Sequence, residues 1–217
     1  MRRAWLIGGA AVAVVVGMHA PPVRAWLGSR GTHGGAACPF GYGAGARPIA
    51  LDARRALRGL APALARPALG FALGFTTAAD VLAWATAHDL RCAPRRGAVV
   101  ECAQVPGALV PGAGELAASA VWFELGATGR LASIKTVRRN PAVAAVASAF
   151  TTAEHALTAQ AGAPTQRDGS PAPELLARGA LRQAMVEYRF ADYRAVLRAT
   201  NMGDGFVLTE EYAALAD

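Results

Sequence analysis

Val186-Glu187-Tyr188-Arg189-Phe190-Ala191-Asp192-Tyr193-Arg194-Ala195-Val196-Leu197-Arg198-Ala199, followed after Thr200 and a turn over Asn201 to Gly205 by Phe206-Val207-Leu208-Thr209-Glu210-Glu211-Tyr212, is the stretch that decides the fold. Val186, Tyr188 and Phe190 alternate with Glu187 and Arg189. Tyr193, Ala195, Leu197 and Ala199 alternate with Arg194, Val196 and Arg198. Phe206, Leu208 and Tyr212 alternate with Val207, Thr209 and Glu211. A period of two sends successive side chains to opposite faces of a strand. An apolar face backed by a polar one belongs to an antiparallel sheet, which needs cover on one side only.

Upstream, Asn140-Pro141 predicts a helix start, with Asn as cap and Pro at the first helical position. Val143, Val146, Phe150, Ala153, Leu157 and Ala161 then recur every three or four residues, a stripe for packing on the sheet. Gly162 and Pro164 end the helix. Residues 165 to 173 read as a polar loop. Before the helix, Val121, Phe123 and Leu125 alternate with Trp122 and Glu124. Gly126 to Gly129 turns the chain, and the spacing of Leu131 and Ile134 breaks strict alternation, which predicts a β-bulge after the turn.

Arg91-Cys92-Ala93-Pro94-Arg95-Arg96-Gly97-Ala98-Val99-Val100-Glu101-Cys102 reads as a hairpin turning near Gly97, which places Cys92 opposite Cys102. Thr77-Ala78-Ala79-Asp80 fits a capping box for a helix running to about His88, with Val81, Leu82, Ala85 and Trp84 as its inner stripe. Leu69, Phe71, Leu73 and Phe75 alternate and predict one more strand. A short helix is expected over Asp52 to Arg58.

The layout is therefore a helix followed by about four strands, then a helix followed by about three. It predicts an α+β fold: an antiparallel sheet of about six to seven strands, with two main helices packed on one face. The two units are open to reading as a degenerate helix-plus-meander duplication, which no residue-level repeat supports. The layout resembles the small exported BamE-like and β-lactamase-inhibitory-protein-like domains. Thr76 to Leu90 is similar to their opening of a short turn and then a helix. Ala161-Gly162-Ala163-Pro164 is similar to the Gly-x-Pro that often ends their helix. The resemblance spans residues 68 to 212 and implies a binding or assembly role in the envelope.

The N-terminus sets the compartment. Arg2 and Arg3 precede an apolar run from Ala4 to Met18, and turn-prone residues follow from His19 to Ala25. This is the order of a secretory signal, and Val23-Arg24-Ala25 favours cleavage after Ala25. The run is shorter than the roughly 20 residues that a membrane-spanning helix needs. The alternative is an uncleaved anchor extending into Trp26 and Leu27. Residues 1–25 are thus expected to be a signal peptide, 26–50 a flexible Gly/Ala-rich lead and 51–217 one α+β domain. The expected location is periplasmic or extracellular, with membrane contact only through the N-terminal segment.

The formal charge is +7, and Lys135 is the sole lysine beside the arginines. Arg54-Arg55, Arg95-Arg96 and Arg138-Arg139 are scattered pairs without interleaved aromatics, so they form no base-stacking platform and nucleic acid is not expected. A solvated face is expected for them instead, with weak attraction to anionic envelope surfaces as the alternative. Export favours pairing of cysteines, and the hairpin assigns the disulfide to Cys92 and Cys102. Cys38 lies too far past the apolar run, and lacks the preceding leucine, to be a lipoprotein cysteine. His19, His33, His88 and His155 show no metal-ligand spacing, so neither a metal nor another cofactor is expected. No serine sits in a Gly-x-Ser-x-Gly turn. Gly107 to Gly114 reads as a long hairpin loop, not a phosphate cradle. Glu210 and Glu211 are strand neighbours pointing to opposite faces and cannot act as a carboxylate pair. Trp84, Trp122, Tyr188 and Tyr193 are the candidate ligand-facing aromatics, with the core as their other assignment.

These readings favour a non-enzymatic module that binds a protein or another envelope component through its sheet. Two alternatives remain open at the sequence level: an exported hydrolase with a site around His88, Asp89 and Glu101, or a carrier of small apolar ligands. A deep polar pocket favours the enzyme, a deep apolar cavity the carrier, and a filled core with an open sheet face the binder.

Overall fold

A computed structural model describes residues 58–215. The signal expected over 1–25, the lead over 26–50, Cys38, and all but the last residue of the helix expected over Asp52 to Arg58 lie outside the described residues.

The fold is α+β, with an antiparallel sheet. Its strands are β1 (Arg91–Arg95), β2 (Val99–Val105), β3 (Ala118–Leu125), β4 (Leu131–Asn140), β5 (Gln166–Asp168), β6 (Gln183–Arg189), β7 (Tyr193–Asn201) and β8 (Phe206–Ala214). Its helices are α1 (Ala78–Ala87), α2 (Val143–Ala161) and the short α3 (Pro173–Leu176). The spatial order is β1-β2-β3-β4-β8-β7-β6-β5. A helix followed by a four-stranded meander thus occurs twice in succession, and the two meanders meet along their last strands, β4 and β8.

The sequence dictates much of this locally. Gly97 and Ala98 take φ of +84° and +60°, so the chain reverses within three residues and aligns Cys92 with Cys102. The two cysteines form a disulfide with Cα atoms 4.0 Å apart. The capping box is present: Thr77 Oγ1 accepts from Asp80 N–H, and the Asp80 carboxylate accepts from Thr77 N–H at 2.8 Å. These bonds hold the exposed Asp80 carboxyl below its ordinary range. The expected bulge also forms. Glu124 pairs with Ser133 and Leu125 with Leu131, which leaves Ala132 as the extra residue. Gly162 ends α2 with φ of +103°.

Three expectations are corrected. Among the described residues the sheet has eight strands, not six or seven, because β5 forms inside the segment read as a polar loop. Its three residues are all exposed and carry no alternation to read. No strand forms over Leu69 to Phe75. Gly70 and Gly74, at φ of +87° and +82°, turn the chain twice, burying Leu69 and Leu73 and leaving Phe75 outside. Finally, α2 starts at Val143, two residues late, because Asn140 still pairs with Phe206 in the sheet. Asn140 Oδ1 instead accepts from Ala142 N–H at 2.8 Å and turns the chain into the helix.

All described helices lie on one face. Cross-strand pairing aligns Val100, Phe123, Ile134, Tyr212, Ala195 and Tyr188 in one row. Phe123 meets Phe71 and Trp84 of α1 edge-on at 4.8 and 6.0 Å between ring centroids. At the row's other end, the Tyr188 hydroxyl lies 2.8 Å from Thr158 Oγ1 of α2. Asn201, of the same parity as Ala195, donates to the Leu176 carbonyl of α3 at 3.0 Å. Val81, Val146, Phe150 and Leu157 fill the space between helices and strands. No described helix packs on the opposite face.

Candidate functional site

The two faces carry charge in different ways. Beneath the helices, at the seam between the meanders, Arg138 of β4 and Glu210 of β8 are both fully buried. Arg138 Nε donates to Glu210 Oε2 at 2.6 Å, Thr136 Oγ1 donates to the same oxygen, and the Tyr212 hydroxyl donates to Oε1 at 3.0 Å. The guanidinium also donates to the carbonyls of Val110 and Leu116, pinning the β2–β3 loop across the end of the sheet. Gly112 seals the cluster: a Cβ there would lie 2.9 Å from Glu210 Oε1. Burial, reinforced by the adjacent Glu210 carboxylate, pushes the Tyr212 hydroxyl pKa well up. The polar bonds of this cluster are internal, so its chemistry is that of a strut.

The opposite, open face carries its polar groups half-buried in a lateral array rather than beneath helices. One transverse row runs through Glu101, Trp122, Lys135, Glu211, Val196 and Glu187. Beside it, Glu187 accepts from Arg189 at 2.6 Å and from Arg194 at 2.7 Å, and Arg194 reaches Glu211 at 3.5 Å. The Glu187 side chain is only 4% exposed. Burial alone would raise its pKa, but the two guanidinium groups outweigh it and hold the carboxyl below its ordinary value. Arg95 pairs with Glu101 at 2.8 Å, and Glu124 accepts from Ser133 at 2.6 Å. Ala213 and Val196, between these long side chains, are buried as well. The face is thus a preset array of oriented charges around one large aromatic ring.

The sequence candidates separate accordingly. Of the four ligand-facing aromatics, Trp122 lies on the open face. Trp84 is half-buried in the aromatic cluster under α1. Tyr188 and Tyr193 are buried in the core, where the Tyr193 hydroxyl donates to the Pro67 carbonyl at 2.5 Å. His88 caps the end of α1 and Asp89 follows it, both exposed, whereas Glu101 faces the other side of the sheet. The sheet therefore stands between the members of that set. Glu210 and Glu211 point to opposite faces, as their adjacency requires. Arg139 is exposed as expected of a solvated pair, but Arg138 is not, and the buried ion pair went unread in the sequence. Its signal was parity: Arg138 shares a face with Ile134, and Glu210 with Leu208 and Tyr212.

Two open clefts lie at the helix side. One of about 560 Å³ lies between α2, at Ser148, Thr151 and His155, and the Ser170–Pro173 segment. Another of about 380 Å³ lies between α2 and the Arg66–Phe71 segment, with Tyr212 at its wall. Among the described residues, no three His, Cys, Asp or Glu side chains are grouped to hold a metal, and no helix is long and apolar enough to cross a membrane. No protein-family model matches this chain, no curated protein matches its sequence and no solved structure matches its fold.

Proposed function

We propose that the chain is an exported, non-enzymatic binding module that docks a protein of the envelope on the open face of its sheet. The observation that carries this reading is the contrast between the faces. The helix side is packed with core residues, while the other side leaves Trp122 and a braced set of charges uncovered by any described helix. Aromatic anchors with pre-positioned charges around them are what interfaces reward, because little side-chain freedom is lost on docking. Export rests on the charged and apolar order of residues 1–25 and is compatible with the Cys92–Cys102 disulfide. The twice-occurring helix and four-strand meander supports the duplication reading. The resemblance of the sequence layout to small exported BamE-like and β-lactamase-inhibitory-protein-like domains favours binding over catalysis.

Affinity purification from the native envelope tests the proposal. The wild-type chain should recover a partner that a Trp122→Ala/Lys135→Glu variant of equal thermal stability does not. Equal recovery by both chains would reject the open face, and mature protein starting at Met1 would reject signal cleavage.

A further inference from the structure

We propose that one end of the sheet forms a second contact surface, which docks on an anionic lipid bilayer. Leu181, on the connection from α3 to β6, and Met202, on the β7–β8 turn, are large apolar side chains left 74% and 45% exposed. Their backbones are tied together: Leu181 N–H donates to the Asn201 carbonyl at 2.7 Å, and Asn201 N–H donates to the Arg182 carbonyl at 2.8 Å. A Cβ on Gly203 would lie 3.8 Å from Ala180 Cβ, so the two connections form one apolar tip. Leu181 has φ of +64°, a left-handed conformation that non-glycine residues rarely adopt. The bonds around Asn201 hold it there with its side chain outward.

The charges around the tip fit a lipid surface. The two connections carry exposed Arg178 and Arg182 against a single acid, Asp204. Exposed Arg139 adds to them from β4, where its pairing partner Val207 lies two residues past the β7–β8 turn. Arginines beside protruding apolar side chains suit a bilayer: the apolar groups enter the headgroup boundary while guanidinium groups meet phosphates. A convex tip of two large side chains is too small for a stable protein interface, which buries on the order of 1,000 Å² or more. The surface lies at one end of the sheet and meets the open face only at Arg139, and it adds a membrane contact beyond the one expected of residues 1–25.

The test uses the full chain with Cys38→Ser and Met202→Cys, labelled at position 202 with an environment-sensitive fluorophore. A second chain carries the label through Thr128→Cys, in the β3–β4 turn at the opposite end of β4, and reports tethering through the N-terminal segment alone. The probes are vesicles of phosphatidylglycerol mixed with phosphatidylcholine, and vesicles of phosphatidylcholine only. The expected result is a blue shift at position 202 on the anionic vesicles, with none on the neutral ones and none at position 128. Arg178→Glu/Arg182→Glu should weaken the vesicle affinity at least about tenfold, since each basic residue near such a surface contributes about 1 kcal/mol. No shift at position 202, or equal shifts at both positions, would overturn the proposal. So would a shift that grows with protein concentration in the absence of vesicles, which would assign the tip to a second copy of the chain.

Discussion

Arg138 and Glu210 show how much a single buried charge constrains. Neither side chain reaches solvent, and each is satisfied only through the other and through Thr136, Tyr212 and two loop carbonyls. Removing one partner leaves an uncompensated charge in the core, so Arg138→Met should cost about 3–5 kcal/mol in a denaturant titration. A loss below about 1 kcal/mol would mean that water reaches the cluster. Glu187 gives a pH-dependent counterpart on the open face. Its folded-state pKa is depressed, so its contribution is present above the ordinary value of 4.5 and is lost as pH falls through the folded value. Glu187→Gln should therefore lower the melting temperature at neutral pH, and the gap from wild type should close steadily below that value. A gap that stays constant down to strong acid would contradict the ion-pair assignment.

At the scale of elements, periodicity was legible wherever one face was buried and the run was long. Tyr193 to Ala199, Val121 to Leu125 and the stripe from Val143 to Ala161 each carried enough repeats for their inner face to be read. The stripe makes a direct test. Phe150 is buried against the sheet, so Phe150→Ala should cost about 3–5 kcal/mol in chemical unfolding, whereas a loss under about 1 kcal/mol would place it outside. The hairpin was legible from turn chemistry, since Gly97 fixes the register that opposes the cysteines. Peptide mapping without reduction should recover Cys92 linked to Cys102 and Cys38 linked to neither. Replacing both paired cysteines by serine should cost ~2–3 kcal/mol, as expected for so short a closed loop. The misreadings came from short-range signals overruled by tertiary contacts. Leu69 to Phe75 alternates, but glycines at 70 and 74 turn it, and Gly74 N–H is taken by the Leu131 carbonyl. The three residues of β5 are defined only by pairing with Met185, Val186 and Glu187 of β6, which no local pattern announces.

Across the whole molecule, the sheet is both scaffold and barrier. It joins two helix-plus-meander units along β4 and β8, collects every described helix on one side and leaves Trp122, Lys135, Glu187 and Arg194 on the other. Sequence parity placed Trp122 and Glu187 on outward positions. It placed Tyr188 and Tyr193 on the inward face but could not tell a tyrosine packed in the core from one lining a ligand cleft, because that depends on what covers it. Here α2 and the Pro67 carbonyl provide that cover. The measurement that tests the central claim most directly is site-specific photo-crosslinking in the native envelope. A benzophenone side chain would replace Val137 on the open face or Ser148 on the outer side of α2. The account predicts a discrete crosslinked protein from position 137 and none from position 148. Crosslinks from position 148 with none from position 137 would contradict it.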